Sequence, residues 1–169
     1  MILQKETIHT PLGKMVLLTH SDTVYSLDFA DHGEETERKL QRRFPNLRHT
    51  KVNSTQIKKQ IISYFEGDLN ALVGIKVDPG GTPFQKKVWT ALQNVSVGET
   101  RSYKNIAFAI DCPGASRAVG TANSRNPIAI IIPCHRVIGS DGTLGGYAGG
   151  IERKRWLLSH ERARSIVDL

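Results

Sequence analysis

Residues 102–123 read SYKNIAFAIDCPGASRAVGTAN, and this stretch decides how the second half of the chain folds. Ser102 can cap a helix from Tyr103 to Ile110, because its hydroxyl accepts hydrogen bonds from the free N–H groups of a first turn. The turn residues Asp111-Cys112-Pro113-Gly114 interrupt the pattern, and a further helix follows from about Ala115 to Asn123. Two helices joined by a tight turn predict a helix-turn-helix unit.

The later of these two helices carries unusually small side chains. Its apolar face recurs at helical spacing and consists of Ala115, Ala118, Val119 and Ala122. Its other face has one long cation, Arg117, among small residues, which are Ser116, Gly120, Thr121 and Ser124. So slim a helix can approach a DNA groove closely, but it can equally pack against a neighbouring helix. The sequence by itself leaves both interpretations open.

Upstream of this unit, the chain alternates between strand and helix patterns. Short strands are predicted at Ile2–Ile8, Met15–Thr19, Val24–Phe29 and Val73–Val77. Helices are predicted at Glu34–Phe44, Thr55–Phe65 and, after Thr82 as cap and Pro83 as first residue, to about Leu92. The break at 79–83, PGGTP, separates two domains. We therefore predict an α/β fold, with an N-terminal α/β domain at 1–78 and a mostly helical domain at 79–169.

The composition of the chain indicates its cellular location and the kind of partner that it binds. The chain has 169 residues, two cysteines and a formal net charge of +7. Neither a signal sequence nor an apolar run long enough to cross a membrane is visible, so we expect no membrane association and a cytoplasmic, intracellular location. Residues 80–169 hold 12 Lys and Arg against six Asp and Glu. This excess favours a polyanionic partner, although a merely basic surface would give the same count.

Cys134 is the candidate nucleophile. It follows an apolar, strand-like run, Ile128–Pro133, which predicts a buried or half-buried position, and His135 comes directly after it. Glu161 shares the apolar side of a helix predicted from Ile151, where a carboxylate needs a partner. A thiol, an imidazole and a carboxylate can together produce a thiolate near neutral pH. The alternatives are an inert buried cysteine and a helix-end glutamate that reaches solvent.

No cofactor is predicted. The glycine-rich segment 145–150, GGYAGG, lacks the lysine of a phosphate-binding loop, and it suits either a wall around a planar ligand or a surface hairpin. The six histidines show no metal-ligand spacing with one another or with cysteine. We therefore expect no metal site.

Motifs of the second half together resemble the O6-alkylguanine-DNA alkyltransferase family, over about residues 81–161. The most specific is Pro-Cys-His-Arg at 133–136, within Ile132–Val137. The other matching segments are Thr82-Pro83-Phe84-Gln85, Val88-Trp89, Gly98-Glu99-Thr100, Ser102-Tyr103, Ser116–Gly120, Asn126-Pro127, Gly146–Gly150, Trp156-Leu157-Leu158 and His160-Glu161. The first half matches weakly, chiefly through Thr10-Pro11-Leu12-Gly13.

The resemblance implies direct-reversal DNA repair. A ribonuclease-H-like first domain would precede a helix-turn-helix domain that binds double-stranded DNA through the minor groove. A damaged nucleotide, O6-alkylguanine or O4-methylthymine, would be rotated out of the duplex. Cys134 would accept the alkyl group irreversibly, so that each molecule, expected to be a monomer, acts once.

The resemblance also implies roles for the residues around the sulfur. His135 and a water would deprotonate Cys134, and Glu161 would orient the imidazole. Tyr103 would help to turn the nucleotide and would donate a hydrogen bond to the base. The remaining pocket positions are Val137, Tyr147, Ala148 and, near the reactive group, Lys154.

The same resemblance places the DNA contacts on the slim helix. Arg117 would take the place that the rotated nucleotide leaves. Asn126 would be the hinge between this helix and the active-site segment. Further contacts with DNA fall on Ser116, Ala118, Gly120 and Thr121.

Two departures from the family pattern limit these expectations. Position 148 is Ala, where some members have Ser, and no cysteine precedes Cys112, so the zinc site of some relatives should be absent. Three other functions stay open. A damage-binding protein without chemistry is opposed by the presence of Cys134. A helix-turn-helix regulator fits poorly with the slim Arg117 helix, and a cysteine hydrolase usually has its histidine far from its cysteine.

Overall fold

The chain is mixed α and β in the computed structural model, which describes residues 1–162. It divides into two compact units. One unit comprises Met1–Pro79 together with Pro127–Ala129, and the other comprises residues 80–126 together with the chain from Ile130 onward. The short segment 127–129 therefore belongs to the first unit, although it lies between two stretches of the second in sequence.

The first unit contains a five-stranded sheet, in which three central strands lie between two edge strands. The central strands form an antiparallel meander of β1 (Ile2–Thr10), β2 (Gly13–His20) and β3 (Thr23–Phe29). The edge strands are parallel to their neighbours and are β4 (Arg48–Lys51) and β5 (Lys76–Val77). Leu27 of β3 also donates its N–H to the Pro127 carbonyl (3.1 Å) and accepts from the Ala129 N–H (2.8 Å). These two bonds explain why segment 127–129 belongs to this unit.

The helices of the first unit are a single 3₁₀ turn, Ala30–His32, then α1 (Gly33–Arg43) and α2 (Gln56–Phe65). Alternation along the strands buries one set of side chains, as the period of a strand requires. The fully buried members include Leu3, Ile8, Met15, Leu17, Val24 and Leu27. The stripe of α2 contributes Ile57, Ile61 and Tyr64 to the buried set.

Two features of the first unit differ from the sequence prediction. The strand predicted at Val73–Val77 comprises only Lys76–Val77, and Val73 lies in a turn with 74% of its surface exposed. Strand β4 was not predicted, because its sequence RHTK has no apolar alternation. Its pairing with β1 depends on backbone hydrogen bonds, which leave no hydrophobic pattern to find.

The second unit is mostly helical. Its helices are α3 (Pro83–Gln93), α4 (Tyr103–Ala109), α5 (Ser116–Ser124) and α6 (Ile151–His160), and two short parallel strands accompany them, β6 (Arg101–Ser102) and β7 (Val137–Ile138). The predicted caps are confirmed. Thr82 and Ser102 each accept from the backbone N–H three residues later, while Gln85 and Asn105 bond back to the cap residue. Helices α4 and α5 follow one another across the short turn at 110–115, as predicted.

Helix α5 buries fewer of its small residues than its pattern predicts. Val119 and Ala122 are buried, but Ala118 is exposed. The inner face is completed instead by Asn123, which is 5% exposed. Among residues 1–162, no helix is both long enough and apolar enough to span a membrane.

Candidate active site

Cys134 opens a buried turn at the centre of the second unit. The strand-like conformation expected before it is wrong, because residues 129–132 form turns and Ile130 has a φ of +71°. The expected burial is confirmed, since Ile128, Ile130 and Ile132 are at most 1% exposed and Cys134 is 6% exposed. A single 3₁₀ turn then spans Cys134–Arg136. This bend removes the strand alternation that would have directed the side chains of Cys134 and His135 to opposite faces.

His135 and Glu161 meet inside the unit. His135 is fully buried, and its Nε2 lies 2.6 Å from Oε1 of Glu161. Glu161 is the residue that caps the C-terminus of α6, and it is only 2% exposed. The alternative of a helix-end carboxylate in solvent is therefore wrong.

Arg136 completes this buried network. Its Nε donates to Oε2 of Glu161 (2.9 Å) and its Nη2 donates to Oε1 (3.0 Å), which makes a two-pronged contact with the carboxylate. Its Nη1 donates to the carbonyl of Val95, just beyond the end of α3, at 2.7 Å. One carboxylate thus accepts hydrogen bonds from two consecutive residues of the Cys134 turn.

The ionisation states in the network follow from these contacts. Burial disfavours the anion of Glu161, but the hydrogen bonds from His135 and Arg136 and the charge of Arg136 outweigh it and hold the pKa of the carboxyl below its ordinary value. Burial also lowers the pKa of His135, and the opposing pull of Glu161 does not restore it. His135 is therefore neutral at neutral pH.

A neutral His135 ring can form a hydrogen bond with the Glu161 carboxylate in only one way. Its Nε2 must carry the hydrogen and donate to the carboxylate, which leaves Nδ1 as a lone-pair acceptor. Nδ1 of His135 is buried and has no hydrogen-bond partner among the described residues. The turn thus holds a proton acceptor in a fixed tautomer on the residue next to the thiol.

Lys154 and Tyr103 lie within electrostatic reach of Cys134. Lys154 is fully buried on α6, and its Nζ donates to the carbonyls of Val137 (2.6 Å) and Gly146 (3.0 Å). Burial lowers the pKa of Lys154 to about 8, and the negative charge of a thiolate at Cys134 acts in the opposite direction. Burial, followed by the charge of Cys134, raises the pKa of Tyr103, so its phenol stays protonated as a donor.

Two asparagines connect helix α5 to the Cys134 turn. Asn123 donates from Nδ2 to the carbonyl of Cys134 at 3.2 Å. Asn126, shortly after the end of α5, donates from Nδ2 to the carbonyl of Ile132 at 2.7 Å. The backbone on both sides of the nucleophile is therefore fixed to one helix.

The outer face of α5 presents the side chains that the sequence singled out. Arg117, Ala118 and Thr121 are exposed, while Ser116 and Gly120 are half-buried. A Cβ on Gly120 would lie 3.8 Å from the ring of Tyr103, so the helix passes close to that ring.

The glycine-rich loop also approaches Tyr103. Gly145 has a φ of +69°, and a Cβ there would lie 2.9 Å from the hydroxyl of Tyr103. No side chain fits at this position without displacement of the ring. Further along the loop, Tyr147 is half-buried and Ala148 is exposed. In the part of the chain that the structure describes, no group of three metal-binding side chains occurs.

Sequence reasoning missed two residues of this site, Arg136 and Asn123. Arg136 stands in the sequence only as part of a motif, and its carboxylate partner lies 25 residues away, so no local signal indicates the contact. Asn123 lies eight residues after Ala115, on the apolar side of α5, where a polar side chain needs a buried partner. That partner is the carbonyl of the nucleophile itself.

Known proteins are similar to this chain in sequence and in fold. A family profile described as 6-O-methylguanine DNA methyltransferase, DNA binding domain, matches residues 83–163. The methylated-DNA–protein-cysteine methyltransferase of Salmonella typhimurium is 39% identical over 94% of this chain and 95% of its own length. The protein of the same name from Mycobacterium tuberculosis is 43% identical, over 99% of this chain and 98% of its own.

Solved structures agree with the sequence matches. The crystal structure of O6-methylguanine methyltransferase from Mycobacterium tuberculosis superposes with a TM-score of 0.82 at 42% identity, over 96% of this chain and 94% of that one. A complex of the Mycobacterium tuberculosis protein with DNA gives the same TM-score at 40% identity, over 99% and 97% of the two chains. The identities extend over nearly the whole length of each protein, and the chain therefore belongs to the methylated-DNA–protein-cysteine methyltransferase family.

Proposed function

We propose that this protein repairs alkylated DNA by transferring the alkyl group of O6-alkylguanine, and of O4-methylthymine, irreversibly to Cys134. The observation that carries this proposal is the buried turn that places Cys134 beside a neutral His135, whose Nε2 faces Glu161 and whose Nδ1 has no hydrogen-bond partner within residues 1–162. An unassisted thiol is only a few per cent ionised at neutral pH, so a base in this tautomer supplies what the sulfur lacks.

The chemical step is one displacement. Nδ1 of His135 takes the proton of the Cys134 thiol through a bridging water. The thiolate attacks the alkyl carbon, the S–C bond forms and the bond from that carbon to O6 breaks, with its electron pair leaving on the base. The proton held by His135 is then available to the departing guanine. Glu161 keeps the ring oriented throughout, because its carboxylate is itself fixed by Arg136.

Tyr103 and Lys154 shape the pocket for the base. The protonated phenol of Tyr103 donates a hydrogen bond to the guanine ring. Lys154 holds the carbonyls of Val137 and Gly146 and so joins the active turn to the glycine-rich loop. Tyr147 and Ala148 of that loop line the other side of the base. The charge of Lys154 also favours an anion on sulfur.

Helices α4 and α5 act as the helix-turn-helix that enters the minor groove. Exposure of the outer face of α5 supports this role, since a slim surface with one long cation can approach the duplex backbone. Arg117 takes the place of the rotated nucleotide, and Asn126 is the hinge toward the active turn. The flanking contacts are made by Ser116, Ala118, Gly120 and Thr121.

The DNA-binding and alkyl-acceptor domain comprises residues 79–169, and a ribonuclease-H-like domain at residues 1–78 precedes it. We place the protein in the cytoplasm as a monomer without a cofactor. The thioether formed at Cys134 is stable to water, so each molecule acts once.

Peptide mass spectrometry tests this function directly. The protein is mixed with duplex DNA whose single O6-methylguanine carries an isotope-labelled methyl group, and the labelled peptide is identified. We expect label on Cys134 and none on Cys112, a half-buried cysteine that serves as an internal control. Label on another residue, or tight lesion binding without any label, would overturn the proposal.

A further inference from the structure

The buried carboxylate of Glu161 has two cationic or potentially cationic neighbours, and they compete for it. Arg136 approaches both carboxylate oxygens, at 2.9 and 3.0 Å, and His135 approaches one of them, at 2.6 Å. Only the guanidinium is charged at every accessible pH. Burial does most to keep His135 neutral, and the charge of Arg136 adds to it by opposing the pull of the Glu161 carboxylate on a proton at His135.

We propose that Arg136 is a positioning residue that keeps His135 unprotonated, and therefore able to accept the thiol proton, by neutralising the carboxylate that orients the imidazole. The proposal deepens the proposed function, on which it rests. It gives the Arg of the Cys-His-Arg turn a role distinct from the roles of its two neighbours. The hydrogen bonds of Arg136 go to Glu161 and to the Val95 carbonyl, so it acts on His135 through Glu161.

The anchoring of Arg136 makes this role specific. The side chain is 9% exposed, and its third contact is a 2.7 Å hydrogen bond to the Val95 carbonyl. The guanidinium is thus fixed between the end of α3, the active turn and the end of α6. A mobile surface arginine would be screened by water and could not hold the carboxylate in this way.

Other charges near His135 do not replace that of Arg136. Lys154 on α6 acts in the same direction, since its charge lowers the pKa of His135, but its hydrogen bonds go to backbone carbonyls and not to Glu161. His160, next to Glu161, stacks on Trp156. The remaining titratable side chains of α3 and α6 are exposed or half-buried, and they are Lys86, Lys87, Glu152, Arg153 and Arg155.

Loss of Arg136 should therefore raise the pKa of His135. An opposite charge within about 4–6 Å shifts a pKa by about 1–3 units, so an unneutralised Glu161 should raise the pKa of His135 by that amount. The acid limb of the alkyl-transfer rate should move to higher pH by the same interval. A merely structural role would lower the rate equally at every pH and would leave the limb in place.

Nuclear magnetic resonance of the full-length protein, with ¹⁵N-labelled histidine and without DNA, tests the proposal. Two-bond ¹H–¹⁵N spectra distinguish protonated from neutral rings, and the His135 signals are assigned by their absence from His135→Gln. We expect a neutral Nε2–H ring in the wild type at neutral pH. Arg136→Gln should move protonation of this ring to higher pH, whereas Arg136→Lys, which keeps the cation, should not. Arg155→Gln removes an exposed arginine of α6 and should change nothing.

A protonated His135 in the wild type at neutral pH would overturn the proposal, as would an Arg136→Gln ring that protonates at the same pH as the wild-type ring. If Arg136→Gln fails to fold, the wild-type and Arg136→Lys spectra still test the proposal. A protonated His135 ring at neutral pH in either protein contradicts the proposal. No alkyl transfer enters this measurement. Failure of the proposed function would appear instead as absence of label on Cys134, so the two failures are distinguishable.

Discussion

Replacement of Glu161 by glutamine should destabilise the second unit strongly. The carboxylate accepts hydrogen bonds from His135 and, through both oxygens, from Arg136, and its side chain is fully buried. Glutamine keeps the shape but leaves a buried guanidinium without a counter-charge. Removal of one partner from such a pair costs about 3–5 kcal/mol. We expect the free energy of unfolding to fall by that amount.

The assay is urea denaturation followed by tryptophan fluorescence. Both tryptophans, Trp89 and Trp156, lie in the second unit and report on it. The matched control is Glu152→Gln, the same substitution on α6 at a side chain that is 83% exposed and pairs with exposed Arg155. Surface pairs contribute little, so this control should unfold almost as the wild type does. Equal, small losses in both variants would refute the account of the buried network.

The pH dependence of this difference has a definite sign. The pKa of Glu161 lies below its ordinary value of 4.5 in the folded protein. Its stabilising contribution is therefore complete above pH 4.5 and is lost as the pH falls through the lower, folded-state pKa. The gap between wild type and Glu161→Gln should close in acid. Alkyl transfer by the variant at neutral pH should be slower by about 10²–10⁴-fold, because the base loses its fixed tautomer.

Three further experiments separate the contributions of individual residues of the site. Cys134→Ala should abolish alkyl transfer and leave the dissociation constant for duplex DNA unchanged in a fluorescence anisotropy titration; a parallel loss of both would contradict the separation of binding from chemistry. Gly145→Ala should lower the free energy of unfolding by at least about 1–2 kcal/mol, because of the positive φ alone. The new methyl group also meets the Tyr103 hydroxyl. A double-mutant cycle with Tyr103→Phe should therefore show that removal of this hydroxyl recovers part of the additional loss. Single-turnover transfer should slow as the pH rises above about 8, where Lys154 loses its charge, whereas Lys154→Arg should keep a flat profile; identical profiles would exclude a role for that charge.

Much of the fold follows from local patterns in the sequence. The caps Thr82 and Ser102 and the apolar stripe of α2 predict their helices because each signal lies within a few residues of its effect. Strand β4 and the turns before Cys134 were not predicted correctly. The first depends on a backbone partner distant in sequence, and the second depends on a positive φ at Ile130 that no isoleucine preference indicates.

The site, like the fold, could be predicted from the sequence only in part. The chemistry of Cys134, His135 and Glu161 could be inferred from residue types and a family resemblance. Their arrangement could not, because a strand would have separated the thiol from the imidazole, and only the tight turn at 134–136 brings consecutive side chains to one buried carboxylate. Arg136 was overlooked for the same reason, since its partner lies 25 residues away in sequence.

The stoichiometry of repair tests the central claim most directly. A fixed amount of protein is incubated with excess duplex DNA that carries O6-methylguanine, and corrected bases and protein mass are measured together until the reaction stops. The account predicts one corrected base per protein molecule, with every molecule heavier by one methyl substitution on Cys134. Continued correction beyond one base per molecule, with protein of unchanged mass, would contradict it.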